Sequence, residues 1–234
     1  MGYTKEFINN ACREAATNDI QRFYTSKFIN YRGKTSDTNE YYTEVVASWL
    51  LDNLDVLNDI PTISRTSGYR VPSHDGVIKN TKSNRKEEII ALEMFQQSDI
   101  PGLGRIIDYQ TPLKNDFDDH VGKVDLLSFD GDTIRLLELK KPDSEETMLR
   151  CVIEGFTYRK TIDTEILLES FKDIVTKDAQ VKVNPFVFID ERSVPYLEMK
   201  EERPKLKALM NALNCHPLYI NDNNGYYTVT EVLK

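Results

Sequence analysis

The stretch Gly122-Lys-Val-Asp-Leu-Leu-Ser-Phe-Asp-Gly-Asp-Thr-Ile-Arg-Leu-Leu-Glu-Leu-Lys140 decides how this chain is read. Two apolar runs, 122–129 and 133–140, flank Asp130–Gly131–Asp132, and an Asp-Gly pair between such runs marks a β-hairpin. Side chains alternate along a strand, so Glu138 and Lys140 share a face while Leu137 and Leu139 point into a core. Register decides where Asp125 falls. With Gly131–Asp132 as the loop, Asp125 lies opposite Glu138; with Asp130–Gly131, it lies opposite Leu136 and diagonal to Glu138. Both two-residue turns put the carboxylates on one face, roughly 5–8 Å apart. Such a pair repels, and a divalent cation held by hard oxygen ligands is the simplest remedy. A lysine beside it adds a fixed positive charge suited to phosphate chemistry.

Working outward, Arg85–Gln97 has helical spacing, with Ile89, Ala91, Leu92 and Phe95 on its apolar side. Arg105–Tyr109 reads as a strand. After the hairpin Pro142 ends the second strand, and Asp143 with Glu146 forms a capping-box variant ahead of a helix that buries Leu149, Val152, Ile153 and Phe156. Further elements are predicted as helix 164–177, strand 181–189, helix 202–213 and a closing hairpin over 218–230. Upstream, Glu40–Leu54 is helical, and 61–83 is a long loop broken by Gly68, Pro72 and Gly76.

The order and the trio together resemble the PD-(D/E)XK nuclease superfamily, the restriction-endonuclease-like fold. Asp125 matches the family's first acid, Glu138 the second, and Lys140 the lysine. The resemblance covers roughly residues 83–190 and implies an α/β (α+β) core, a mixed central sheet flanked by helices. An N-terminal helical extension and loop (1–80) would precede the core and its C-terminal additions (81–234). It further implies metal-dependent hydrolysis of phosphodiester bonds in DNA, with Mg2+ or Mn2+ as cofactor and Asp125, Glu138 and Lys140 as catalytic residues. Asp125 and Glu138 would ligate the metal, joined by Glu88 on the first core helix, with Glu87 as the alternative. The family's usual Pro before the first acid is Val124 here. Some members carry Gln-x-x-x-Tyr on the second core helix; Glu154 and Tyr158 keep that spacing with Glu replacing Gln. The plainer reading of Glu154 is a surface pair with Arg150. A second acid, acid-x-Lys set, Asp190 with Glu198 and Lys200, has Pro195 between its acids and lacks a hairpin.

The chain of 234 residues carries a net charge of −8, which argues against nonspecific coating of DNA. Between Arg65 and Lys86, however, six basic residues face the single acid Asp75. Arg65, Arg70, Lys79, Lys82 and Arg85 are therefore the expected phosphate contacts. DNA is the expected partner, with target recognition or a homodimer contact assigned to the N-terminal helices and no organic cofactor. Cys12, Cys151 and Cys215 have no metal or redox spacing, nor do His74, His120 and His216. No apolar run is long enough to span a bilayer and nothing marks export, so a cytoplasmic location is expected. The competing expectation is a non-catalytic module on the same fold that binds nucleic acid or a protein.

Overall fold

A computed structural model describes residues 2–77, 85–115 and 122–232. Helices α1 (Lys5–Asp19) and α2 (Tyr42–Asp52), joined by short 3-10 turns, come first. Helix α3 (Lys86–Gln97) leads into strands β1 (Asp99–Ile100), β2 (Gly104–Pro112), β3 (Lys123–Phe129) and β4 (Thr133–Lys140). Then follow α4 (Met148–Thr161), α5 (Thr164–Ser170), β5 (Gln180–Phe188), α6 (Val194–Lys200), α7 (Pro204–Leu213), β6 (Leu218–Asp222) and β7 (Tyr227–Thr230).

All seven strands form one sheet in sequence order. Strands β1 to β4 run antiparallel, β5 and β6 add in parallel, and β7 returns antiparallel. The hairpin takes the Gly131–Asp132 loop: Leu126 pairs with Leu137 and Phe129 with Ile134, which sets Asp125 opposite Glu138. One face of the sheet wraps Ala91, Leu92 and Met94 of α3 together with Leu137, Leu139, Phe186 and Ile220. The other face, with Leu127, Leu136 and Val183, packs against α4, α7 and the N-terminal helices.

The expected restriction-endonuclease-like fold is corrected at the sheet's edges. That fold has an open twisted sheet, whereas here the two ends curl toward each other into a nearly closed barrel. The Val229 amide donates to the Pro101 carbonyl at 2.8 Å. Gln97 bridges the same gap: its Nε2 donates to the Tyr227 carbonyl (2.9 Å), and its Oε1 accepts from the Tyr227 amide (2.8 Å). A side-chain amide thus does the work of a neighbouring strand. Gly102, at φ +85°, allows the approach, because a Cβ there would lie 2.1 Å from the Val229 oxygen. The strands responsible, β1, β6 and β7, lie beside or beyond the part of the chain that carries the motif. The resemblance to the PD-(D/E)XK superfamily is withdrawn with the fold.

The N-terminal helices lie on α4. Tyr24 meets Tyr158 edge-on at 5.9 Å, and Thr147, the N-cap of α4, donates to the Ile29 carbonyl at 2.8 Å. Helix α4 is consequently buried on nearly every side. Among the described residues no helix is long and apolar enough to cross a membrane.

Candidate functional site: a lysine-centred charge cluster

Asp125 on β3 and Glu138 and Lys140 on β4 share the sheet face that packs against α4. Lys140 is buried, and its ammonium touches three carboxylates: Glu138 Oε1 at 2.8 Å, Glu146 Oε2 at 2.9 Å and Glu154 Oε2 at 3.1 Å. Arg150, one turn along α4, reaches Glu146 at 3.0 Å and Glu154 at 3.6 Å. Tyr158 donates to Glu154 Oε1 at 3.3 Å. Gly155 lets α4 come this close, since a Cβ there would press on Val183 at 2.9 Å and meet Glu138 Cβ at 3.8 Å.

Asp125 is held separately. Gln110 Nε2 donates to its Oδ1 and the Leu139 amide to its Oδ2, both at 2.9 Å. Gln110 sits at φ +47° within β2, just past an irregularity in the pairing near Ile106 and Asp108. A non-glycine residue in that region costs about 1–3 kcal/mol, strain that concentrates at functional positions.

The titration behaviour follows from burial and charge. Burial, opposed by Lys140 and reinforced by Glu87, pushes the Asp125 carboxyl up to about 7. Burial and then Glu154 push Glu138 well above the usual carboxylate range. Burial would also raise Glu154, but Lys140 and Arg150 outweigh it and hold that carboxyl below its usual value. Burial would lower Lys140, yet Glu138 and Glu154 keep its ammonium charged. The buried Glu138 Oε2 has no hydrogen-bond partner among the described residues.

This geometry corrects the nuclease reading. Lys140 was expected beside a metal; instead its ammonium sits where the carboxylates converge and acts as the resident cation. Both Asp125 oxygens are already engaged from other directions. Among the described residues no three His, Cys, Asp or Glu side chains are grouped to hold a metal ion. Asp125, Glu138 and Lys140 share one face as the spacing predicts, but of the two acids only Glu138 is salt-bridged to Lys140, while Asp125 is held by Gln110 and the Leu139 amide. With the restriction-endonuclease-like fold withdrawn and no such metal-holding group among the described residues, the reading as a Mg-dependent deoxyribonuclease is withdrawn too.

The other predicted positions divide. Glu88 turns outward to Arg85 at 3.3 Å, while Glu87 reaches inward and accepts from the Lys141 amide at 3.1 Å. Glu154 and Tyr158 belong to the buried cluster, so the expected pair of Glu154 with Arg150 forms, but inside the cluster rather than at the surface. The N-terminal helices cover that face of α4, and local spacing carries no sign of such cover. Gln110 and Glu146 were not anticipated as cluster members. Glu146 was read as a capping residue, but Thr147 caps α4 by accepting from the Arg150 amide at 3.2 Å. Glu198 of the second acid-x-Lys set lies on helix α6 and accepts from the Met148 amide at 2.7 Å.

Among the expected phosphate contacts, Arg65 donates to the Gly68 carbonyl, the Lys114 carbonyl and Ser67. Arg70 pairs with Asp173 at 2.8 Å and Arg85 with Glu88. Lys79, Lys82 and His120 lie outside the described residues. His74 Nδ1 meets the buried Asp108 at 2.6 Å and its ring stacks on Tyr109, tying the loop to β2.

No protein-family model, curated protein or solved structure matches this chain. The class of protein is therefore defined by the molecule alone: a mixed α/β domain with a nearly closed seven-stranded sheet and a buried, lysine-centred acid cluster.

Proposed function

We propose that the protein is a recognition module and that its acid cluster receives a cationic group, the ammonium or guanidinium of a basic partner. One observation carries the reading: Glu138 Oε2 is buried without a donor in a cluster where acids outnumber bases. Asp125, Glu138, Glu146 and Glu154 face only Lys140 and Arg150. A buried carboxylate oxygen without a donor costs free energy that a charged donor from outside would recover. The approach is from the side of Gln110, Gly122 and Asp125, which are half-buried, and of Glu146, whose side chain is 32% exposed. The net charge of −8 favours encounter with a basic partner.

The incoming cation would displace the protons that burial favours on Glu138 and on Asp125, whose carboxyl is pushed up to about 7, so binding strengthens as pH rises through about 7. Calorimetry with a short Lys/Arg peptide tests this on the wild type, Glu138→Gln and Asp125→Asn. Saturable binding is expected, at least about tenfold weaker in Glu138→Gln, the loss typical of a charge-assisted hydrogen bond. Equal affinity in wild type and Glu138→Gln would refute the site. Tighter binding of duplex DNA than of the peptide would reject the basic partner in favour of phosphate recognition.

A further inference from the structure

A second site lies past the cluster, at the C-terminal end of α4. A cleft of about 770 Å³ opens between that end, the start of β5, the loop before residue 62 and the end of α7. Three cations line it: Arg159, Lys160 and Lys182, all half-buried. None of them forms an ion pair among the described residues. Arg159 is pinned, because its Nε donates to the Val181 carbonyl at 3.0 Å. That bond fixes the plane of the guanidinium and leaves its two terminal nitrogens without a partner among the described residues, the fork that grips an oxyanion through two bonds.

The acids along the same cleft, Asp163 and Glu165, are two against three cations and leave a net positive charge. Asp163 is the N-cap of α5, and its carboxylate accepts from Ser64 at 2.6 Å and from the Glu165 and Ile166 amides. Those donors hold it below the usual carboxylate range. Glu165 is exposed at the margin. The remaining wall is polar and uncharged at Asn58, Thr62 and Asn214, groups that exchange hydrogen bonds with hydroxyls. The volume is in the range that encloses a metabolite-sized ligand.

We propose that this cleft binds a small phosphorylated, hydroxylated molecule, with Arg159 and Lys182 on the phosphoryl group and Asn58, Thr62 and Asn214 on the hydroxylated body. The site is independent of the Lys140 cluster. It implies that a phosphorylated ligand is read at one end of α4 while the acid cluster lies at the other.

The probes are ribose 5-phosphate, inorganic phosphate and ribose, each titrated into the full chain and followed by calorimetry and thermal melting. Ribose 5-phosphate should bind more tightly than either fragment. At about 100 times its Kd it should raise the melting midpoint by roughly 5–10 °C. Arg159→Gln and Lys182→Gln should each weaken it by about tenfold or more, and Lys182→Gln should melt like wild type without ligand. Glu138→Gln should leave it unchanged, which separates this site from the cluster. Absence of a shift with ribose 5-phosphate, or equal affinity in Arg159→Gln, would overturn the proposal. Inorganic phosphate binding as tightly as ribose 5-phosphate would overturn the role given to the polar wall.

Discussion

At the scale of single residues, the cluster shows how one buried amine changes the meaning of a motif. Glu138, Glu146 and Glu154 would repel without Lys140, whose ammonium lies within 3.1 Å of each. Replacing it with a neutral chain of similar length strands three acids, two of them buried. Lys140→Met should therefore destabilise the fold by about 3–5 kcal/mol, the usual result of breaking one side of a buried ion pair. Glu138→Gln is a different case. Burial and the neighbouring Glu154 already favour the neutral form of that carboxyl, and Gln keeps its shape and its bond to Lys140. Urea unfolding at neutral pH should place Glu138→Gln within about 1 kcal/mol of wild type. A loss as large as that of Lys140→Met would mean Glu138 is ionised in the native state. The placement of Asp125, Glu138 and Lys140 on one face was legible because strand periodicity and the Asp-Gly turn are local. The direction of the Lys140 amine was not, because Glu146 and Glu154 arrive from another element.

At the scale of elements, α4 is the piece on which the site depends. Its first turn is tied twice through Thr147, which accepts from the Arg150 amide and donates to the Ile29 carbonyl. Thr147→Ala should cost about 1–2 kcal/mol from the lost cap and the stranded carbonyl. Thr147→Ser, which keeps both bonds, should recover most of it in the same denaturant titration; no difference between the two would assign the effect to packing. Most elements were readable from periodicity: the segment 85–97 is α3, 133–140 is β4, and the 218–230 hairpin is β6 and β7. Helix α5 stops at Ser170, seven residues short of the predicted end, and Phe171 folds into the core where the chain turns. Helix α6 and strand β1 went unseen because each is too short to show a period. The burial of α4 on its outer side was also hidden. It comes from Tyr24 and Ile29, more than 115 residues away along the chain, as the Thr147 bond to Ile29 shows.

For the molecule as a whole, the decisive feature is the seam between β1 and β7. Gly102→Ala puts a Cβ into the Val229 carbonyl at a left-handed backbone position and should destabilise the protein by about 2–4 kcal/mol. Gln97→Ala should cost about 1–3 kcal/mol by removing both bonds to Tyr227. Joined in one protein, the two changes should lose less than their sum, because both open the same seam. Strict additivity in chemical denaturation would show that the closure is not one cooperative unit. The seam also has a history in time. Gln97 and Tyr227 stand 130 residues apart. A ribosome adding about 5–20 residues per second makes the first of them on the order of ten seconds before the second. For that interval β1 is a bare strand edge with its carbonyls open to any passing chain, and the newborn chain is exposed to wrong pairing there until the β6–β7 hairpin arrives.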